Sequence, residues 1–105
     1  LDQCSNAKIT DNEIARNAYF GVLIAESRNI EVTGNFIEGN DRSGVMVEFQ
    51  YRGSENVSVA NNRIQFNDGY PVESYGTRTV VTRNRYVQNS RPNERIVMDK
   101  TILMK

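Results

Sequence analysis

Asparagine recurs in this chain at a spacing that constrains the whole architecture. Four pairs of asparagines lie five residues apart, and successive pairs begin 23, 27 and 22 residues after one another. The pairs are Asn12 and Asn17, Asn35 and Asn40, Asn62 and Asn67, and Asn84 and Asn89. A period of roughly 20 to 50 residues is typical of a solenoid, in which each repeat buries its apolar face only against its neighbours.

Each repeat also carries apolar residues with a period of two. In the second repeat, Ile30 and Val32 alternate with Glu31 and Thr33. Alternating β-branched residues are typical of strands, and the Gly and Asn residues between the runs are typical of tight turns. The pattern predicts three short strands per repeat, so that each repeat is one coil of a parallel β-helix. The predicted coils span about residues 5–27, 28–54, 55–77 and 78–101.

The paired asparagines have a structural role in such a stack. Equivalent Asn side chains can bond to one another from coil to coil, because each amide has donors and an acceptor. Asn also tolerates the left-handed backbone conformation, so we expect it at the corners. A leucine-rich repeat shares part of the pattern, but the chain has three Leu and no helical stretch after the second Asn.

The motif N-[I/V]-x-V-x-x-N-x-I-x-x-N, followed by G-V-x-V and clearest in residues 29–47, resembles the right-handed parallel β-helix repeat of the pectin-lyase-like superfamily. That group includes pectate lyases, polygalacturonases, mannuronan epimerases and phage tailspikes. The resemblance covers about residues 5–99. It implies an all-β, right-handed parallel β-helix of about four three-stranded coils. It also implies polysaccharide binding and an extracellular or periplasmic location. We predict no cofactor.

In that superfamily the outer face of the third strand carries the polysaccharide groove. Here we expect one outward column of Leu23, Met46, Glu73 and Val97, and a second of Ala25, Glu48, Tyr75 and Asp99. The longer second coil places its surplus at residues 49–53, beside the same face. The predicted substrate-binding residues are Glu48, Tyr51, Arg52, Glu73, Tyr75 and Asp99. Tyr rings stack on sugars, carboxylates accept hydroxyl protons, and Arg binds uronate carboxylates. The alternative is a merely solvated polar face.

The catalytic residues stay unknown at this stage, and so does whether the chain is an enzyme. The sequence has no histidine, which excludes a His base, a His triad and the commonest metal ligand. The D-P-H motif of the epimerases and the G-H-G motif of the polygalacturonases are absent, and no Asp cluster matches the calcium site of pectate lyases. We predict no metal site. Glu48 and Glu73 are the one carboxylate pair of interest for acid–base chemistry.

Charge and the chain ends bear on partners. Thirteen basic residues balance thirteen acidic ones, which argues against nucleic acid and against a membrane-binding basic cluster. Residues 1–75 hold eleven acids and six bases, whereas residues 76–105 hold two acids and seven bases.

The first coil has no capping helix, and residues 91–105 are expected to cover the last coil. The sequence therefore predicts either a part of a longer β-helix or a homo-oligomer formed through the open N-terminal coil.

Two classes of function fit these observations. The first is a polysaccharide-binding module of a lyase, epimerase or hydrolase, with a uronate-containing polymer as partner. The second is a structural or assembly module without activity of its own. The single cysteine, Cys4, excludes an internal disulfide and is expected to be a small packed residue rather than a nucleophile.

Overall fold

A computed structural model describes residues 1–48 and 53–97, and in these residues the chain forms a parallel β-helix. Twelve strands are present in the described part of the chain. They are β1 Ser5–Thr10, β2 Glu13–Ala15, β3 Val22–Ile24, β4 Arg28–Thr33, β5 Phe36–Glu38, β6 Val45–Val47, β7 Glu55–Ala60, β8 Arg63–Gln65, β9 Val72–Ser74, β10 Thr77–Thr82, β11 Arg85–Val87 and β12 Arg95–Ile96.

Every third strand joins the same sheet. The first sheet has the order β1-β4-β7-β10, the second β2-β5-β8-β11 and the third β3-β6-β9-β12, with every pairing parallel. Each coil therefore contributes one strand to each of three sheets. The described residues contain no helix, so the leucine-rich repeat alternative is wrong, and none of them forms a helix able to span a membrane.

The number of residues from the first to the third strand is the same in coils 1 to 3, and only the connections between coils differ in length. The first and third strands of coils 1 to 3 begin 17 residues apart, as Ser5 and Val22 do. The unequal steps of 23, 27 and 22 residues therefore arise where one coil passes to the next. In coil 2 this connection runs from Val47 to Glu55, so the surplus lies where the sequence predicted it. Residues 49–52 are outside the described residues.

The core consists of aliphatic columns that run along the axis of the stack. Eleven Val and Ile side chains form one buried cluster, and Val32, Ile37, Val45 and Ile64 are fully buried. Each such side chain contributes about 1.5–3 kcal/mol through removal from water. Equivalent positions in the end coils, such as Ile9 and Val81, are only partly buried. The middle coils thus supply most of the hydrophobic stabilisation.

Two asparagine ladders run beside this core, as the sequence predicted. In the first ladder the side-chain amide of each Asn donates to Oδ1 of the Asn one coil later, over 3.1, 3.0 and 2.9 Å. In the second ladder the corresponding distances are 2.9, 2.8 and 2.9 Å. The same Oδ1 atoms also accept the backbone N–H of the preceding coil's Asn. Because these amides are fully bonded, asparagine is stable in the buried corners.

The prediction that the paired asparagines adopt the left-handed conformation is wrong. Positive φ falls instead on the residue before each of them: Asp11, Gly34, Asn61 and Arg83 at the first corner, and Arg16, Gly39, Phe66 and Gln88 at the second. The left-handed residue turns the backbone, and this rotation directs the following Asn side chain inward. A separate set, Asn6, Asn29 and Asn56, does have positive φ and forms an exposed ladder.

Serine takes the place of asparagine at the third corner. The backbone N–H of Ser27 donates to Oγ of Ser54 over 3.1 Å, and the N–H of Cys4 donates to Oγ of Ser27 over 3.1 Å. Both serines are buried. Cys4 is a partly buried residue packed against the core cluster, in the place that the serines hold in the next two coils.

Candidate functional site

The described members of the predicted site lie on the third sheet and directly after it. Glu73 points outward from the middle of β9, in register with Met46 and Leu23 as predicted. Glu48 follows β6 and Tyr75 follows β9, with backbone bonds that place both in the next outward column. The two glutamates therefore stand diagonally rather than one above the other. Tyr51, Arg52 and Asp99 lie outside the described residues.

The predicted register of the fourth coil is wrong. Arg95, and not Val97, pairs with Glu73, and Val97 occupies the place beside Tyr75 that was assigned to Asp99. The prediction matched the apolar run Ile96–Val97–Met98 to earlier third strands. The chain instead keeps a constant distance from the paired asparagines, which places Arg95 and Ile96 in β12. Arg95 therefore lies in register with Glu73, on the outward face of the third sheet.

Glu73 is held in place by its neighbours. Its Oε1 accepts a hydrogen bond from the Ser43 hydroxyl over 2.8 Å, and its Oε2 accepts one from the Tyr75 hydroxyl. Burial, followed by the hydrogen bond to Glu73, raises the pKa of Tyr75, although Arg95 acts in the opposite direction. Tyr75 is therefore protonated at neutral pH and remains a donor to the carboxylate. Because both oxygens are engaged, the Glu73 carboxylate is oriented before any ligand arrives.

Arginines and tyrosines in the third strand of a coil and in the turn before it extend this surface. The Arg42 guanidinium lies 5.4 Å from the centre of the Tyr19 ring. Arg91 and Arg95 lie 5.9 and 6.0 Å from the Tyr70 ring. Interactions with Tyr75 and Tyr70 raise the pKa of Arg95. These distances are within the range of cation–π contacts.

Sequence reasoning missed this group, although a signal was present. Tyr19, Arg42 and Arg91 all lie seven residues after the first Asn of their repeat, so they form a column of their own. The sequence prediction rests on the columns of the strands, whereas these residues lie in turns. Loops on a rigid scaffold are frequent carriers of binding residues.

A groove with a volume of about 510 Å³ lies on this surface. Its walls include Arg42 and Arg91, the Tyr70 ring, the fixed carboxylate of Glu73, and the hydroxyls of Ser43 and Ser90. Ser90 is itself oriented by a 2.7 Å hydrogen bond to Asp68. Guanidinium, carboxylate, hydroxyl and aromatic groups are thus combined within one open site. Such a set suits a ligand with both hydroxyls and negative charge.

Metal binding has no comparable support. Within residues 1–48 and 53–97, no three Asp, Glu or Cys side chains are close enough to hold an ion. Two acidic residues, Asp68 and Glu73, line the groove. Glu73 is bonded to Ser43 and Tyr75, and Asp68 accepts a hydrogen bond from Ser90.

Comparison with known proteins agrees with the architecture. A family model described as the right-handed β-helix region matches residues 1–101. No curated protein and no solved structure matches the chain. The match spans nearly the whole sequence and agrees with the three parallel sheets described above. The chain is a member of the right-handed β-helix family, consistent with the pectin-lyase-like superfamily.

Proposed function

We propose that this β-helix is a polysaccharide-binding module, and that the groove along its third sheet binds an acidic sugar polymer. The observation that carries the proposal is the arrangement around Tyr70. Its ring has two guanidinium groups 5.9 and 6.0 Å from its centre and lies beside the oriented Glu73 carboxylate. An aromatic ring offers a flat surface for a pyranose, and the charged groups bond to substituents at its edge.

The positive groups favour a uronate polymer over a neutral one. Arg42, Arg91 and Arg95 are exposed side chains on this face, and arginine bonds to carboxylates through two parallel N–H groups. Glu73 would accept hydrogen bonds from sugar hydroxyls, because a carboxylate offers several acceptor positions. The arginines would thus bind the carboxylates of the sugar polymer, and Glu73 would bind its hydroxyls.

The proposal concerns binding by these coils, within a protein that degrades or modifies polysaccharide as a lyase, epimerase or hydrolase. Both oxygens of Glu73 are already hydrogen-bonded, and Glu48 lies in the neighbouring column. A glycosidase acid–base pair needs one carboxyl free to protonate the leaving group and another that faces it across the bond. We therefore assign Glu73 to binding. An extracellular or periplasmic location would suit such a ligand.

Affinity electrophoresis against alginate, pectate, xylan, dextran and chitosan tests the proposal. We expect retardation by a uronate polymer, alginate or pectate, and no retardation by dextran. Tyr70→Ala and Arg95→Ala should each abolish most of it, because each removes one side of the ring–guanidinium arrangement. Arg28→Ala is the matched control, since Arg28 is an exposed arginine of the first sheet paired with Glu55 at 3.8 Å. Equal loss in R28A and R95A, or no retardation by any polymer, would contradict the proposal.

A further inference from the structure

Charged side chains on the outer face of the first sheet are arranged in pairs of opposite sign. Lys8 stands in register with Glu31 one coil later, and their charged groups lie 3.6 Å apart. Arg28 stands in register with Glu55, at a distance of 3.8 Å. Opposite charges on directly paired strand residues stabilise a sheet, whereas like charges destabilise it. The first sheet therefore shows the pairing that stability alone favours.

The second sheet has the unfavourable pairing. Arg63 of β8 and Arg85 of β11 are direct partners in the parallel register, and both are exposed. Within residues 1–48 and 53–97, neither guanidinium forms an ion pair with an acidic residue. A pairing that costs stability and has no compensating partner in the described fold is expected at a functional site.

Arg63 is held in one orientation by its own neighbours. Its Nε donates a hydrogen bond to Oε1 of Gln65 over 2.9 Å, and Gln65 is 7% exposed. Its guanidinium also lies 5.7 Å from the centre of the Phe36 ring, one coil earlier in the same column. Arginine has five N–H donors, and Gln65 engages the one on Nε. The donors on the two terminal nitrogens are therefore directed away from the sheet and are available to a ligand.

Acidic side chains of the second sheet lie away from this pair. Glu13 is in register with Phe36, two coils before Arg63, and Glu38 is in register with Gln65 in the neighbouring column. Neither glutamate forms an ion pair with Arg63. The surface around the two arginines is thus positively charged. A planar carboxylate fits it, because a guanidinium binds a carboxylate through two parallel N–H groups.

We propose that Arg63 and Arg85 form an auxiliary site for the carboxylates of an acidic polysaccharide, on a different face from the groove. The inference rests on the function proposed above, because it assigns the same class of ligand to a second surface. Neither arginine lines the groove, although Asp68, in the turn that follows β8, does. The second sheet and the groove are therefore consecutive around the coil, and a polymer that passes this turn contacts both.

The auxiliary site acts through avidity. It offers charge without a free aromatic surface, since the half-buried Phe36 ring lies against Arg63, and exposed ion pairs are individually weak. A polymer held in the groove presents its other carboxylates at a high local concentration, so a second contact multiplies the apparent affinity. Loss of the groove therefore removes most of the binding, whereas loss of the auxiliary site weakens the binding of long polymers alone.

The length of the ligand separates the two sites in a calorimetric titration. The probes are pectate, alginate and short oligosaccharides of each, and the variant is Arg63→Ala with Arg85→Ala. We expect its Kd for the bound polymer to rise about threefold to tenfold, and its Kd for the oligosaccharide to change by less than about twofold. Arg28→Ala is the matched control and should change neither, because Arg28 lies on the first sheet beside Glu55.

The outcomes distinguish this inference from the proposed function. An unchanged Kd of the double alanine variant for the polymer, with oligosaccharide binding intact, would overturn the auxiliary site alone. Failure of the unchanged chain to bind any oligosaccharide or polymer would overturn the proposed function and the auxiliary site together. Circular dichroism confirms that each variant is folded.

A second pair of variants separates a defined site from diffuse attraction. Arg63→Lys with Arg85→Lys keeps both charges but loses the planar, two-pronged donor, so we expect the same loss of polymer affinity as in the alanine variant. Full polymer affinity in the lysine variant would refute a carboxylate site. In Tyr70→Ala, whose groove lacks its ring, a high concentration of oligosaccharide should still shift the Nε–H signal of Arg63 in NMR spectra. A signal that does not move, or moves no more than that of Arg28, would also refute the site.

Discussion

Removal of the Asn62 side chain should destabilise the fold strongly. Its Nδ2 donates to the carbonyls of Val32 and Ala60 and to Oδ1 of Asn84 over 2.8–3.0 Å. Its Oδ1 accepts from the backbone and the side chain of Asn35 over 2.9 and 3.0 Å. Asn62→Ala removes all of these bonds at a site that is 2% exposed, where water cannot replace them.

The size of this loss follows from the groups that lose their hydrogen-bond partner when the Asn62 side chain is removed. The backbone N–H of Asn35 becomes a buried donor without an acceptor, which costs about 1–3 kcal/mol. The lost bonds from Nδ2 add about 1 kcal/mol or more, because the carbonyls they served are also buried. We therefore expect Asn62→Ala to lower the free energy of unfolding by about 2–4 kcal/mol, a large share of the roughly 5–15 kcal/mol of an ordinary domain.

Asn12→Ala is the matched control, since it removes the same side chain from the same ladder in coil 1. Asn12 is exposed, and its Nδ2 donates to Thr10 and Asn35. Water can take its place, so we expect a loss of about 1 kcal/mol or less. Urea unfolding followed by circular dichroism measures both. Similar losses for N12A and N62A, or a loss below about 1 kcal/mol for N62A, would refute the argument that burial makes the ladder stabilising.

Three further predictions use the same unfolding assay. Phe66 has a φ of 55° and is 51% exposed, so Phe66→Gly should stabilise the fold by up to about 1 kcal/mol by relieving left-handed strain; destabilisation would contradict this. Gly44→Ala should cost about 1–3 kcal/mol, because the new Cβ would lie 2.6 Å from Cγ2 of Ile64; a neutral effect would count against the packing described. Burial, followed by the charge of Glu94, raises the pKa of Tyr86 above its ordinary 10.0. The folded state therefore favours the neutral phenol, and this contribution to stability is fully present below pH 10 and falls as the pH rises further. Tyr86→Phe should reduce that fall. Identical pH profiles for Y86F and the unchanged chain would refute the argument.

The fold was predictable because its determinants repeat in the sequence. Four copies of one pattern fix the inward columns, so Val45, Val47 and Asn40 were placed correctly from spacing alone. The left-handed residues were not, because the corner sequences Asp11, Gly34, Asn61 and Arg83 share no side-chain chemistry. What they share is a backbone conformation. The Asn that follows each of them recurs in every coil because its side chain bonds to the Asn of the next coil.

The candidate site was less predictable than the fold. Glu73 and Tyr75 followed from the strand columns, but their direct hydrogen bond depends on side-chain direction rather than spacing. Arg95 was missed because Ile96 and Val97 resemble earlier third strands in hydrophobicity. The constant distance from Asn89 fixed the register instead. In a solenoid, the ladder therefore predicts register better than the apolar run does.

The most direct test of the proposed function is an NMR titration of the chain with uronate oligosaccharides, observed through its backbone amides. Binding in the groove should shift the amides of Ser43, Tyr70, Glu73 and Ser90. The outer face of the first sheet, around Glu31 and Ser58, should stay unchanged. Shifts confined to the first sheet, or none at any ligand concentration, would contradict the assignment of this groove as the polysaccharide site.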